Sequence, residues 1–185
     1  MAEDDSRQFD LNIERVLEHW TVPHAVREVL ANALDEQALT GTLDPAITRA
    51  PDGTWHIRDY GRGIRYQHLT QKENTEKLKR SDDVIGKFGV GLKDAFATFD
   101  RHGIGVEIRS RHGRITIGKV PKHGFEDLRT LHALISESRD PTFEGTDFAL
   151  GGVTDENIEM AKSFFLRWSE DEVLETTPFW CSAAG

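Results

Sequence analysis

Ala46 to Arg49 and Thr54 to Asp59 are two short runs separated by Ala50 and the turn sequence Pro51-Asp52-Gly53. Proline fixes φ and glycine frees it, so the chain reverses here and the two runs pair as a β-hairpin. A hairpin is antiparallel by construction, which commits any sheet built on it to at least one antiparallel pair. With period two, Trp55, Ile57 and Asp59 share a face. Trp55 and Ile57 belong in a core, so Asp59 points inward as well, where an unpaired charge is costly. Two roles suit it: a cap on the turn at Gly61, or an acceptor for the buried amino group of a ligand.

The remaining elements follow from periodicity. Phe9, Ile13, Val16, Leu17 and Trp20 stand at helical spacing and predict a first helix over 9–20. Thr21 and Pro23 open a second helix, from about Pro23 to Leu39, that ends near Gly41. Tyr60 to Gly91 reads as a long loop with a short helix around Gln67 to Leu78, and loops of that length are usually functional or mobile. Leu92, Ala95, Phe96 and Phe99 then predict a helix that leaves the glycines directly and stops by Gly103. Strands Ile104–Arg109 and Arg114–Lys119 follow, joined through His112 and Gly113, then a helical stretch over Phe125–Leu134 and a strand Thr146–Leu150. Thr154 caps a last helix with Ile158, Ala161, Phe164 or Phe165, and Trp168 on its apolar stripe. Short turns and long excursions between strands imply an α+β fold with a mixed, largely antiparallel sheet and helices on one face. A doubly wound parallel fold is disfavoured.

Charge and cysteine content narrow the function. A formal net charge of −9 over 185 residues, with acids crowding Glu3, Asp4, Asp5 and Glu170, Asp171, Glu172, Glu175, disfavours nucleic acid as a direct ligand. The basic run Lys77, Leu78, Lys79, Arg80 reads as a solvated helix face, or more sharply as a contact for an acidic partner. Cys181 is the single cysteine, which fits a reducing, cytoplasmic compartment. There is no apolar signal region and no apolar run long enough to span a membrane.

Three polar features ask for more than a structural explanation. On the second helix Val26, Val29, Leu30, Ala33 and Gln37 fall in one arc, and Glu28, Asn32, Asp35 and Leu39 in the opposite one. Asn and Asp are poor interior helix formers. A carboxylate beside a carboxamide can activate a water and hold a hard cation through oxygen. Gly61 and Gly63 allow close backbone approach to a ligand. Gly86, Gly89 and Gly91 directly precede a helix with Lys93 in its first turn, a natural anion site. The loop is not GxxxxGK[ST], because Leu92 follows Gly91, and it is not GxGxxG, because Asp94 stands where the last glycine is required. In the late strand Thr146 shares a face with Phe148 and Leu150 and adds one more inward polar group.

Taken in order, Glu28-x3-Asn32-x2-Asp35, Asp59-x-Gly61-x-Gly63, Gly86-x2-Gly89-x-Gly91-Leu92-Lys93 and Gly145-Thr146 resemble the N box, the two glycine boxes and the closing GT of the GHKL superfamily, which includes gyrase B, the heat-shock chaperone, histidine kinases and MutL. The resemblance spans about residues 23–150. Asn32 to Glu36 with Asp59 to Ile64 is most similar to the gyrase B type, whereas Phe88-Gly89-Val90-Gly91-Leu92-Lys93 is nearer the MORC and MutL style.

The resemblance implies a Bergerat-type two-layer sandwich that binds Mg²⁺ and ATP. It implies that Asp59 accepts from the adenine amino group with Thr146 in support, and that Arg62 lies against the adenine, paired with Glu36. Asn32 would hold Mg²⁺, Glu28 would be the general base, and Asp35, Gly61, Gly63 and Ile64 would line the pocket. Gly86, Lys87, Phe88, Gly89, Val90, Gly91, Leu92 and Lys93 would wrap the phosphates, with Lys93 near the terminal ones and residues 66–87 as the lid. The expected organisation is an N-terminal segment at 1–22, an ATP-binding domain at 23–152, and a C-terminal helix with an acidic tail at 153–185. Only residues 151–185 follow Leu150, so the chain reads as an excised ATPase domain or as a small member that works through a partner. The expected activity is slow ATP hydrolysis coupled to lid closure or to homodimerisation through the N-terminal segment. A phosphotransferase of the histidine-kinase or anti-sigma-kinase type and a nucleotide-sensing interaction module without catalysis are the alternatives.

Overall fold

The computed structural model describes residues 7–11, 13, 17–70, 85, 91–122, 125–137 and 140–168. Seven strands, β1 (Arg7–Asp10), β2 (Ala46–Arg49), β3 (Trp55–Arg58), β4 (Gly105–Ser110), β5 (Gly113–Lys122), β6 (Phe125–Ser136) and β7 (Thr146–Gly151), form one sheet in the order β1-β6-β5-β4-β7-β3-β2. Among the described residues four α-helices accompany it: α1 (Val22–Thr40), α2 (Tyr66–Thr70), α3 (Gly91–Arg101) and α4 (Asp155–Ser163). The fold is α+β, compatible with a two-layer sandwich. α1 lies between α3 and α4 and also meets β3, while α3 packs on β4 and β5.

Every pairing among the described strands is antiparallel. The expected mixed character has a physical counterpart, because β3 and β4 each pair antiparallel with β7 and therefore run parallel to one another. The long helical excursion does return a parallel strand, and β7 is inserted into the gap. That insertion places Thr146, at the start of β7, beside the end of β3.

Local chemistry explains most boundaries. Thr21 starts α1 in extended geometry with its N–H donating to His24 Nδ1 at 3.2 Å, and Gly41 closes it with its N–H on the Gln37 carbonyl at 2.8 Å. In the β2–β3 turn the Thr54 N–H donates to Asp52 Oδ1 at 2.9 Å, the local turn bond that favours Asp there. Thr154 caps α4 by accepting from the Asn157 N–H, while Asn157 Oδ1 accepts from the Thr154 N–H, a reciprocal box.

Two predicted helices are strands or irregular. Arg7–Asp10 forms β1 on the edge of β6, with the Leu11 N–H continuing onto the Leu131 carbonyl at 3.0 Å, and residues 17–20 are not helical. Phe125–Ser136 is not a helix but the long strand β6, paired with β5 on one side and β1 on the other. Leu128, Leu131, Leu134 and Ile135 fit a helical stripe, yet β5 pairs with Arg129–Ser136 and β1 adds a second partner at His132–Ile135, and tertiary pairing overrides a weak local preference. Of the helix predicted around Gln67 to Leu78, Tyr66–Thr70 is helical, and positions 71–78 lie outside the described residues.

The core lies between sheet and helices. Ile57, Val106, Ile108, Ile115, Phe148 and Leu150 face Val26, Val29, Leu30, Phe96, Phe99 and Ile158 in one cluster. Fully burying each large side chain contributes about 1.5–3 kcal/mol. α1 is buried nearly all round: Ala25, Ala31, Leu34 and Asp35 are covered as well as the predicted apolar arc. Small alanines let the flanking helices approach, and the polar stripe of α1 is itself largely covered, with Asp35 buried and Glu28, Asn32 and Glu36 half-buried. No helix among the described residues is long and apolar enough to cross a membrane.

Candidate functional site

The polar stripe of α1 organises the site. From Glu28 to Glu36 the helix rises about 12 Å, and along that length the stripe meets three other segments. Glu28 lies against Gly91 at the start of α3, where an added Cβ would run into its carboxylate. Asp35, 1% exposed, accepts from the Ile85 N–H at 2.6 Å through Oδ1. Glu36 meets the segment after β3: its Oε1 accepts from the Arg62 N–H at 2.8 Å and from Arg62 Nε at 2.9 Å, and its Oε2 from Arg62 Nη2 at 3.0 Å. A Cβ on Gly61 would stand 2.6 Å from Glu36 Oε1, so that position accepts nothing larger than glycine without moving the pair.

Asp59 occupies the corner where β3 meets the start of β7. It is 1% exposed. Its Oδ1 accepts from the Gly61 N–H at 2.9 Å and the Thr146 N–H at 3.2 Å. Its Oδ2 is buried with no hydrogen-bond partner among the described residues. Burial holds the Asp59 carboxyl above the usual carboxylate range, with the Gly61 and Thr146 donors pulling the other way. Oδ1 thus fills the turn-capping role alone, and Oδ2 takes no part in it.

Neighbouring groups fix this corner. Thr146 Oγ1 accepts from the Ile64 N–H at 3.0 Å, and the Gly145 N–H donates to the Gly61 carbonyl at 3.1 Å. Gly145 has φ 77° and packs so closely that a Cβ would overlap the Asp59 carbonyl and lie 2.8 Å from Tyr60 Cα. Only glycine meets both conditions. Gly63, with φ 81°, faces the Gly145 carbonyl in the same way at 3.0 Å from a built Cβ.

Of the predicted residues, Asp35, Glu36, Asp59, Gly61, Arg62, Gly63, Ile64 and Thr146 are drawn together at this end. Glu28 and Gly91 meet at the other, with the half-buried Asn32 between them on α1 and the half-buried Lys93 in the first turn of α3. Glu28 pairs with Arg27. Leu92 packs against the core, so its place is structural at least in part. Gly86, Lys87, Phe88, Gly89 and Val90, and most of the expected lid, lie outside the described residues.

Two residues were given no place in the site by the sequence. Ser110 is 2% exposed, donates to the Ile64 carbonyl at 2.8 Å and accepts from the His112 N–H at 3.1 Å. The alternation Val106, Ile108, Ser110 marks it as inward by the rule that exposes Asp59. Asp94, in the first turn of α3 beside Lys93, has its carboxyl raised above the usual range by burial.

No family model matches the chain. A protein of Mycoplasma pneumoniae, described only as an uncharacterized protein, is 37% identical over 164 residues. The match covers 86% of this chain and 66% of that relative, so the chain spans just under two thirds of its length.

Proposed function

We propose that this chain is a GHKL-type ATP-binding domain that hydrolyses ATP slowly in a reducing, cytoplasmic compartment. The observation that carries the reading is Asp59 Oδ2, a buried acceptor left open beside an oxygen already holding two backbone N–H groups. A buried acceptor without a partner costs about 1–3 kcal/mol, and the exocyclic amino group of adenine is a donor of the kind it lacks. Glycines at 61, 63 and 145 let the surrounding chain close tightly around this corner and hold Asp59 in place.

At the other end of α1 the chemistry turns to phosphate. Mg²⁺, when bound, supplies charge neutralisation on the phosphates. The Asn32 carboxamide suits it, as a half-buried oxygen donor with no hydrogen-bond partner among the described residues. An ion on Asn32 would take its remaining ligands from the nucleotide and water. Glu28 takes the proton of the attacking water as the bond to the terminal phosphoryl group breaks, releasing ADP and phosphate. The N–H groups that open α3 and the Lys93 ammonium receive phosphate charge.

Titration calorimetry of ATP with Mg²⁺ tests the reading. Asp59→Asn presents an N–H₂ where the ligand also donates, and its affinity is expected to fall about 100-fold, close to 3 kcal/mol. Equal affinity for wild type and variant would remove adenine from this pocket.

A further inference from the structure

Beside the Asp59 corner, two segments bring five basic groups to one rim. The β4–β5 turn carries Arg111 and His112, and the stretch after Gly61 carries Arg62, Arg65 and His68. A Cβ on Gly63 would lie 3.3 Å from Ser110 Cβ and 3.7 Å from His112 Cδ2, so the turn rests directly on the glycine segment. The Arg65 N–H lies 3.5 Å from His68 Nδ1. All five residues are exposed.

Elsewhere in this acidic chain four exposed arginines pair with carboxylates, Arg49 with Asp155, Arg109 with Asp140, Arg114 with Glu107 and Arg167 with Asp44, while Arg101 and Arg129 donate to the Trp20 and Lys119 carbonyls. On the rim only Arg62 is paired, with Glu36. The Arg65 and Arg111 side chains make no ion pair or hydrogen bond among the described residues. Their field is felt locally. Partial desolvation pushes both imidazoles below the usual histidine range; Arg65 pushes each further, joined by Arg62 at His68 and by Arg111 at His112, while Glu36 opposes the shift at His68.

We propose that this rim docks an acidic peptide segment of a partner protein. Guanidinium forks match carboxylates in shape and charge, and a concentrated positive patch on a chain of net charge −9 directs a polyanion to this one place. Single-stranded nucleic acid fits less well, because it relies on free aromatic faces. Tyr66, on the adjoining α2, is already packed on Phe9 with ring centroids 5.6 Å apart. The rim is also joined to the pocket wall. The His112 N–H donates to Ser110 Oγ, Ser110 Oγ donates to the Ile64 carbonyl, and the Ile64 N–H donates to Thr146 Oγ1. A docked segment therefore bears on the Asp59 corner through three consecutive hydrogen bonds.

The test is fluorescence anisotropy of a labelled oligoglutamate peptide titrated with the full chain at low salt and without nucleotide. Saturable binding is expected, weakened roughly tenfold or more by the double variant Arg65→Glu/Arg111→Glu and unchanged by Arg129→Glu on β6. Circular dichroism of the double variant should match wild type, since both side chains are exposed. Absence of binding, or equal binding by wild type and double variant, overturns the proposal. Preference for a single-stranded RNA oligomer over the peptide, lost in the same double variant, overturns it in favour of a nucleic-acid surface. Because no nucleotide is present, failure here leaves the ATP reading standing, and failure of ATP to bind leaves this one standing.

Discussion

At the Asp59 end of α1, hydrogen bonds close almost every polar atom: both oxygens of Glu36, Oδ1 of Asp59, and the hydroxyls of Thr146 and Ser110. At the Gly91 end, Glu28 pairs with its neighbour Arg27, and the Asn32 and Lys93 side chains make no hydrogen bond or ion pair among the described residues. Among the described residues the first end is closed but for one acceptor, Asp59 Oδ2. The second is largely uncommitted, with Glu28 held only by its neighbour Arg27. On the proposed reading this contrast is what binding and chemistry respectively require, because selectivity for one donor needs a rigid lone acceptor, whereas groups that act on a transition state must keep their charge available for it.

The largest expected effect lies at the uncommitted end. Glu28→Ala should lower ATP turnover by roughly 10²–10⁴-fold, the usual contribution of a general base, while calorimetric affinity for ATP stays close to wild type. Phosphate release is the measurement. Turnover that survives the substitution would show that the Gly91 end is not where the chemistry happens, and the division between the two ends would fail.

Glycine substitutions compare the ends on stability. Gly145→Val should cost on the order of 3 kcal/mol or more, because it forces a β-branched residue to φ 77° and into the Asp59 backbone, which cannot yield. Gly91→Ala meets only the end of the Glu28 side chain, which can turn aside, so its cost should stay near about 1 kcal/mol or below while turnover falls. Denaturant midpoints separate the two. Equal destabilisation would mean that the Gly91 end is as rigidly built as the other.

The difference between the ends also governs what the sequence revealed. Asp59 and Thr146 were legible because strand alternation is a strict geometric rule and inward polar groups violate it visibly, whereas the Glu36–Arg62 pair was implied only by the resemblance to the GHKL superfamily. Ser110 obeys the same rule and stood open to the same reading. β1 and β6 were misread because Phe9 to Trp20 and Leu128 to Ile135 carry apolar residues at helical spacing, and nothing local declares that an edge strand or two partners will take up the backbone. The near-complete burial of α1 was hidden for a related reason: Ala25 and Ala31 are neutral on a helical wheel, and only the arrival of α3 and α4 on both sides makes them core. The basic rim escaped because Arg65 and Arg111 are distant in sequence and meet only through the β4–β5 turn.

The smallest effect is a pair of opposed pH dependences at Asp59. Its native carboxyl is raised above the unfolded value by burial, so the native state holds that proton more tightly than the unfolded chain does. Its contribution to stability is therefore most favourable at pH below the unfolded carboxylate value and declines as pH climbs through the raised native one. ATP affinity should move the other way, because the adenine amino group needs the charged acceptor, and affinity should fall as pH drops through the raised value, earlier than for an ordinary carboxylate. Asp59→Asn should lose this part of both dependences. Denaturant midpoints and ATP titrations across mildly acidic pH measure the two slopes. If affinity were flat where stability still changes, Oδ2 would be a strained structural oxygen only, and the finished end of α1 would have no ligand to finish it.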